Sequence, residues 1–357
     1  MITRFRLENF KAHRDTDLRL HRFTVLVGDN SSGKTSVLEA LRLPAELFEI
    51  TAHTDELKLD ERLRRGAERM SLSYEGEMRE GQWTTTLEIT GFGSEPTLWL
   101  KGQEASQTPF SWEFDLSSLH EDDLREHLST CMDMIGRVAL YRFRADQVAA
   151  SAYSDKAGVL VAEDGAQTAV VLADLKLADD ERFDRIEGAM RRLVPSLERL
   201  RIAPAMVEHR SSTTPVRGSK VYFDFHGAKN VPGHHASQGT LVALALLTVL
   251  HGADRPGVIL LDEFDHSLHP RAQMELVRMI KELLALDEFQ DTQLIMTTHS
   301  PYVLDEVSPA EVIAFALRDD GTVAAKPLSE HPDAPRVNGS LKAGELWTLD
   351  AERDWVR

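Results

Sequence analysis

At 357 residues, with 42% apolar and 28% charged side chains, the chain is long enough for two average domains or one large α/β domain with insertions. Its 41 basic residues are outnumbered by 58 acidic ones, and the net charge of −17 argues against a dedicated nucleic-acid coat while leaving room for a local basic strip. The single cysteine, Cys131, excludes an internal disulfide and a CxxC zinc hook or redox pair, and reads as a buried structural thiol.

The start, MITRFRLENFKAH, carries charges throughout and has no apolar signal core. Alternation around Ile2–Phe10 and Leu18–Leu20 predicts two short strands, and the compact run Phe23–Val27 a buried one. Ser36–Leu43 reads as a helix that Pro44 ends, and 45–69 as helical and charged. From 70 to about 102, the segments MSLSYEGEM, QWTTTLEITGFG and PTLWLKG are β-formers with glycine turns and predict an antiparallel sheet. Residues 113–136 read as an acidic helix, Arg137–Phe143 as a strand, roughly 166–200 as helical and Val221–Phe225 as a strand. An apolar helix follows Gly239, then the strand Val258–Leu261, a helix over 271–286 and the strand Gln293–Thr297. The last forty residues are Pro- and charge-rich with Trp347 and Trp355. The longest apolar run, Leu241–Leu250, is half a membrane span, so the expectation is a soluble, cytoplasmic protein with no membrane contact. No heptad run, repeat or low-complexity tract is present.

GDNSSGKT, Gly28–Thr35, matches G-x-x-x-x-G-K-[ST] in full. Its glycines let the backbone fold tightly, so that successive N–H groups face phosphate oxygens. Lys34 would neutralise the β- and γ-phosphates, Thr35 would give a hydroxyl to Mg2+, and the following helix aims its N-terminus at the same anion. A buried strand leading in and a helix leading out are the context this loop requires. VILLDEFD, Val258–Asp265, is an apolar strand ending in acids, and such strands offer their C-terminal end to ligands. Asp262 is placed to hold Mg2+ and Glu263 to polarise the attacking water; alone, both could be turn residues. Ser237 opens an apolar helix at Ser237-Gln238-Gly239-Thr240, either as a plain N-cap or as a phosphate grip, and both can hold at once. His299 ends the strand QLIMTT, as a structural residue or a contact to the γ-phosphate or its water. The adjacent His234 and His235 lack metal-ligand spacing. Two arginine groups, Arg62/Arg64/Arg65/Arg69 and Arg191/Arg192/Arg199/Arg201, read as solvated helix faces.

These elements in this order, with the opening FRLENFKAHRDTDLRLHRFTVLVGDNSSGKTSVLEAL and the segments LLDEFDHSLHP and TTHSP, resemble the ABC ATPases of the SMC, RecF and OLD branch. Within it the chain looks most like the compact AAA-family ATPases of bacterial antiphage and toxin-like systems, whose endings the tail KAGELWTLDAERDWV is similar to. The resemblance spans residue 1 to about 305, excepting a middle stretch of about 100 residues. It implies an α/β fold: an ABC-type P-loop domain with a mixed sheet flanked by helices, an N-terminal antiparallel β subdomain and a helical insertion. It implies that Asp29, Asn30, Ser31, Ser32, Gly33, Lys34, Thr35 and Ser36 bind ATP, with Ser237 and Gly239 as the signature. Thr35 and Asp262 would hold Mg2+; Lys34, Glu263 and His299 would be catalytic; and Asp265–His269 would form the D-loop. The family's signature helix completes the partner subunit's site, which implies an ATP-dependent homodimer. Gln238 and Thr240 depart from the transporter-type LSGGQ, and His269 stands where a transporter D-loop has Asp. Gln147 is the candidate Q-loop residue.

We expect four segments: an N-terminal lobe over 1–112, a mainly helical insertion over 113–205, a C-terminal ATPase lobe over 206–315, and a packed tail over 316–357. Three functions compete. The first is an ATPase whose dimerisation drives or gates a protein effector, in antiphage defence. The second is a RecF-like DNA-binding repair protein, and the third a protein that binds ATP with negligible turnover. Glu263 speaks against the third, the net charge weakens the second, and the absence of an NKxD motif favours ATP over GTP.

Overall fold

Period-two alternation builds the first strands. In β1, Ile2–Phe10, Phe5 and Leu7 are buried while Arg4 and Arg6 face outward. The outward arginines pair with Asp17 and Asp15 of the antiparallel β2, His13–Arg19. β4, Arg69–Met78; β5, Gly81–Thr90; β6, Thr97–Glu104; and β7, Phe110–Asp115, extend this into a six-stranded antiparallel sheet of order β2-β1-β4-β5-β6-β7. The structure is a computed structural model, and it describes all residues except 50–58, 79–80, 92–96, 105–109, 116–128, 130–132, 134, 156–157, 209–213, 337–340 and 357. The acidic helix expected over 113–136 begins instead as the end of β7, where Glu113 pairs with Trp99; most of its remainder, with Cys131, lies outside the described residues.

The second sheet holds the continuous apolar runs that mark strands covered on both faces. β3, Phe23–Gly28, is buried along its whole length at the centre of the order β15-β14-β3-β13-β12-β8. β12, Val258–Leu261; β13, Gln293–Thr297; and β14, Val312–Leu317, run in parallel pairings with β3 among them, and β15, Val323–Pro327, pairs antiparallel with β14. β8 is Val138–Tyr141. β15 lies in the last forty residues, whose charge and proline content gave no strand signal, and β14 lies just before them in a stretch the sequence reading left unassigned.

The helix Lys34–Glu49 contributes Val37, Leu38, Leu41 and Leu47 to one apolar core shared with Phe5, Leu7 and Tyr74 of the first sheet and Leu26, Ile295 and Phe315 of the second. Pro44 does not end it, contrary to the sequence reading. A proline inside a helix leaves the carbonyl four residues earlier without its donor. Here the Tyr74 hydroxyl donates to the Ala40 carbonyl at 2.9 Å, so the helix continues to Glu49.

The chain divides into two units, the first comprising Met1–Leu140, Pro256–Asp262 and Leu284–Arg357, the second Tyr141–Arg255 and Glu263–Leu283. In the second, β9, Leu197–Val207; β10, Val216–Phe225; and β11, Ala228–Pro232, form an antiparallel sheet of order β11-β10-β9. The helical stretch expected over 166–200 is two helices, Thr168–Ala178 and Asp180–Leu193, separated where the Asp179 side chain accepts the Arg182 amide as an N-cap. Leu197–Leu200 belong to β9. The run Leu241–Leu250 lies within the helix Gln238–His251, which is buried nearly all round, and among the described residues no helix is long and apolar enough to cross a membrane.

Candidate functional site

The phosphate loop is set by close packing of backbone. Gly28 ends β3 opposite Phe315 of β14 with φ +141°, and a Cβ there would come within 2.3 Å of the Phe315 carbonyl oxygen. Ser31 takes a left-handed φ of 62° and Gly33 one of 102°. Asp29, Asn30 and Ser31 are exposed, while Ser32 is buried. The Ser32 hydroxyl oxygen finds no hydrogen-bond partner among the described residues. A buried hydroxyl without a partner is rare and costly, and in a loop of this shape it suits a phosphate oxygen.

Lys34, 5% exposed, bends back under the loop, its ammonium donating to the Gly28 and Asp29 carbonyls at 2.8 Å each. One residue on, the Thr35 hydroxyl donates to Asp262 Oδ1 at 3.2 Å. The same oxygen accepts the Thr297 hydroxyl at 2.8 Å. Three separated segments, the loop helix and the ends of β12 and β13, thus bring hard oxygen groups to one point, the donor set Mg2+ prefers. Ser36 follows half-buried on the same helix. Thr297 ends the strand Gln293–Thr297 and opens the segment TTHSP, but was given no role of its own in the sequence. His299, two residues further, is half-buried.

Glu263 adopts φ +51° without being glycine. A left-handed backbone at such a residue costs energy that surrounding structure must sustain, and such residues concentrate at functional sites. Its side chain is 47% exposed and lies 3.5 Å from His266 Nδ1.

Glu263 falls in the second unit, as do Ser237 and Gly239. The Ser237 oxygen accepts the Thr240 amide at 3.2 Å, so it caps the helix Gln238–His251, and both Ser237 and Gln238 are exposed at that N-terminus. Gly239 is needed for space, since a Cβ would meet the Ser267 carbonyl oxygen at 2.5 Å. The Ser267 hydroxyl donates to Gln238 Oε1 at 3.3 Å, and Gln273 Nε2 donates to the Asp265 and Leu268 carbonyls. The N-terminal end of the helix Gln238–His251 and the Asp265–His269 turn are therefore one packed assembly. The loop residues with Thr35, Asp262 and His299 form the other group, in the first unit.

Gln147, on the short helix Ala145–Ala149, donates to Asp146 at 3.3 Å. His331, Asp333 and Asp350 cluster, but His331 Nδ1 accepts the Asp333 amide. That leaves the proton on Nε2, 3.4 Å from Asp350, where it blocks metal ligation through this nitrogen. The arginine groups are largely ion-paired: Arg62 with Glu46, Arg69 with Glu8 and Glu88, Arg191 with Glu187, and Arg192 with Glu275 and Glu282.

Comparison with known proteins places this geometry. Residues 23–305 match the family model described as "AAA domain, putative AbiEii toxin, Type IV TA system". A stretch of 75 residues is 36% identical to the Septu protein PtuA of Bacillus thuringiensis, covering 21% of this chain and 18% of that protein. Among solved structures, the SMC head bound to the C-terminal winged-helix domain of ScpA matches with TM-score 0.62 and 14% identity over 92% of this chain and 98% of that one. The SMC head domain from Thermotoga maritima matches with TM-score 0.50 and 15% identity over 91% and 98%. An Smc head with an extended coiled coil, bound to the C-terminal domain of ScpA derived from Pyrococcus furiosus, matches with TM-score 0.53 and 14% identity over 92% and 96%. At these identities the likeness establishes the fold alone, an SMC-head-like α/β domain.

Proposed function

Because this chain belongs to the AAA-domain family of the AbiEii toxin, we propose that it binds and hydrolyses ATP with Mg2+ and that two copies close on ATP to drive or gate a protein effector in antiphage defence. The observation that carries the nucleotide part is the meeting of Thr35, Thr297 and Asp262 beside a phosphate loop whose buried Ser32 oxygen has no hydrogen-bond partner among the described residues. Thr35 and Asp262 would hold Mg2+, which would compensate the phosphate charge when bound. Lys34 exchanges two neutral carbonyls for charged phosphate oxygens, which are stronger acceptors. Glu263 orients the attacking water, and His299 contacts the γ-phosphate or that water.

Pairing is supported by the exposed end of the helix Gln238–His251. Its N-terminal amides and the Ser237 hydroxyl suit an anion, and in this reading they engage the triphosphate held by the other copy. The defence assignment is supported by the short match to a Septu protein, and the effector by the SMC heads solved with ScpA domains; both transfer here as part of the proposal.

Isothermal titration with ATP and Mg2+ tests the core of it. Wild-type protein is expected to bind and Lys34→Ala, checked for folding by circular dichroism, to show no binding; a variant that keeps tight affinity refutes the phosphate-loop assignment. Turnover that rises with duplex DNA and loses that rise in high salt would replace the effector reading with a DNA-binding clamp.

A further inference from the structure

His13 was assigned no role in the sequence, yet it touches the phosphate loop. Its ring is fully buried at the start of β2, with Nε2 3.1 Å from the Gly33 carbonyl and Nδ1 3.0 Å from the Thr16 hydroxyl. We propose that His13 is a positioning residue for nucleotide binding: its hydrogen bond, added to the one the Val37 amide gives the same Gly33 carbonyl at 3.2 Å, fixes the Gly33–Lys34 peptide with the Lys34 amide N–H turned toward the triphosphate. This rests on the reading of Gly28–Thr35 as the triphosphate site.

In a trans peptide the carbonyl and the following N–H point in opposite directions. An anchor on the Gly33 oxygen therefore sets where the Lys34 amide points. A carbonyl only accepts, so Nε2 carries the proton; the Thr16 hydroxyl then donates to Nδ1 and fixes that tautomer. Burial holds the ring's pKa down to about 4, so it stays neutral with a single proton to give.

Packing alone would not require a histidine. The ring sits edge-on to Phe315, a contact an apolar ring would make as well. Gly33 accommodates it at close range, because a Cβ on Gly33 would lie 2.8 Å from His13 Nε2. The turn that carries His13 is itself braced. Lys11 pairs with Glu39 on the helix Lys34–Glu49, the Lys11 amide donates to the Arg62 carbonyl, and the Val323 amide donates to the Ala12 carbonyl. Asn9 and Lys11 hold positive φ values of 57° and 49°, a conformation that persists only where surrounding structure over-determines it. A rigid turn presents one donor to one loop carbonyl.

The test compares ATP–Mg2+ affinity for wild type, His13→Phe, which removes the donor, and His13→Gln, whose amide can restore one. Tyr74→Phe serves as a control that loosens the same helix away from the loop. Loss of one hydrogen bond that orients a binding group is expected to weaken affinity about tenfold in His13→Phe. His13→Gln should recover most of it, and Tyr74→Phe should bind as wild type. Equal affinity in His13→Phe and wild type, or no recovery in His13→Gln, overturns the positioning role alone. A wild type that binds no nucleotide removes the triphosphate reading and this proposal with it. If His13→Phe does not fold, Thr16→Val replaces it: loss of the tautomer-fixing hydroxyl should weaken affinity about threefold, and unchanged affinity overturns the proposal.

Discussion

Removing the Tyr74 hydroxyl should expose how the helix behind the phosphate loop tolerates Pro44. Tyr74 is 1% exposed and donates to the Ala40 carbonyl at 2.9 Å, the carbonyl that a residue-44 amide would otherwise serve. Tyr74→Phe keeps the ring and leaves that buried oxygen without this donor, at a cost of about 1–3 kcal/mol. For a chain longer than 250 residues, a loss of 1 kcal/mol lowers the melting midpoint by about 2 °C, so the expected fall is roughly 2–6 °C. Pro44→Ala returns an amide N–H to the same carbonyl. The double variant should therefore be less destabilised than the sum of the singles, with a coupling of about 1 kcal/mol. Urea unfolding followed by both circular dichroism and tryptophan fluorescence supplies the free energies, provided the two transitions coincide. A Tyr74→Phe cost below about 0.5 kcal/mol, or additive singles, would refute the explanation.

Three further outcomes follow. His13 has a folded pKa of about 4 against an ordinary 6.5, so the unfolded chain binds its proton first as pH falls. The stability difference between wild type and His13→Gln should thus be constant above pH 6.5 and shift against wild type by on the order of 3 kcal/mol by pH 4; a flat difference measured by urea unfolding contradicts this. Glu263→Gly relieves the φ of +51° and should raise stability by roughly 1 kcal/mol while ending turnover, whereas a destabilised variant would mean the backbone is not strained there. Asp262→Asn should remove the dependence of ATP affinity on Mg2+, read as the ratio of dissociation constants with Mg2+ and with EDTA; a ratio equal to wild type would move the ion elsewhere.

What the sequence revealed was local. The loop Gly28–Thr35 and the strand ending at Asp262 were legible because each is a contiguous run whose neighbours, a buried strand and a helix, are equally contiguous. Pro44 misled because its rescue comes from Tyr74, thirty-four positions from Ala40, and no local pattern carries that contact. His13 and Thr297 were given no role for the same reason: one reaches Gly33 and the other Asp262 only after folding. β15 was hidden in a tail read by its average composition, and β14, Val312–Leu317, just before it was left unassigned although it is apolar for six residues. Asp179 divided a predicted helix by capping the next one, a signal present in the sequence but outweighed by the apolar periodicity on both sides.

The account depends most on two copies sharing ATP, and the mass of Glu263→Gln in solution tests it directly. With ATP and Mg2+ the variant is expected to run as a dimer by light scattering, to revert to monomer when Lys34→Ala is added, and to be blocked by Ser237→Arg. A Glu263→Gln protein that binds ATP yet remains monomeric at every concentration would contradict the shared-site mechanism.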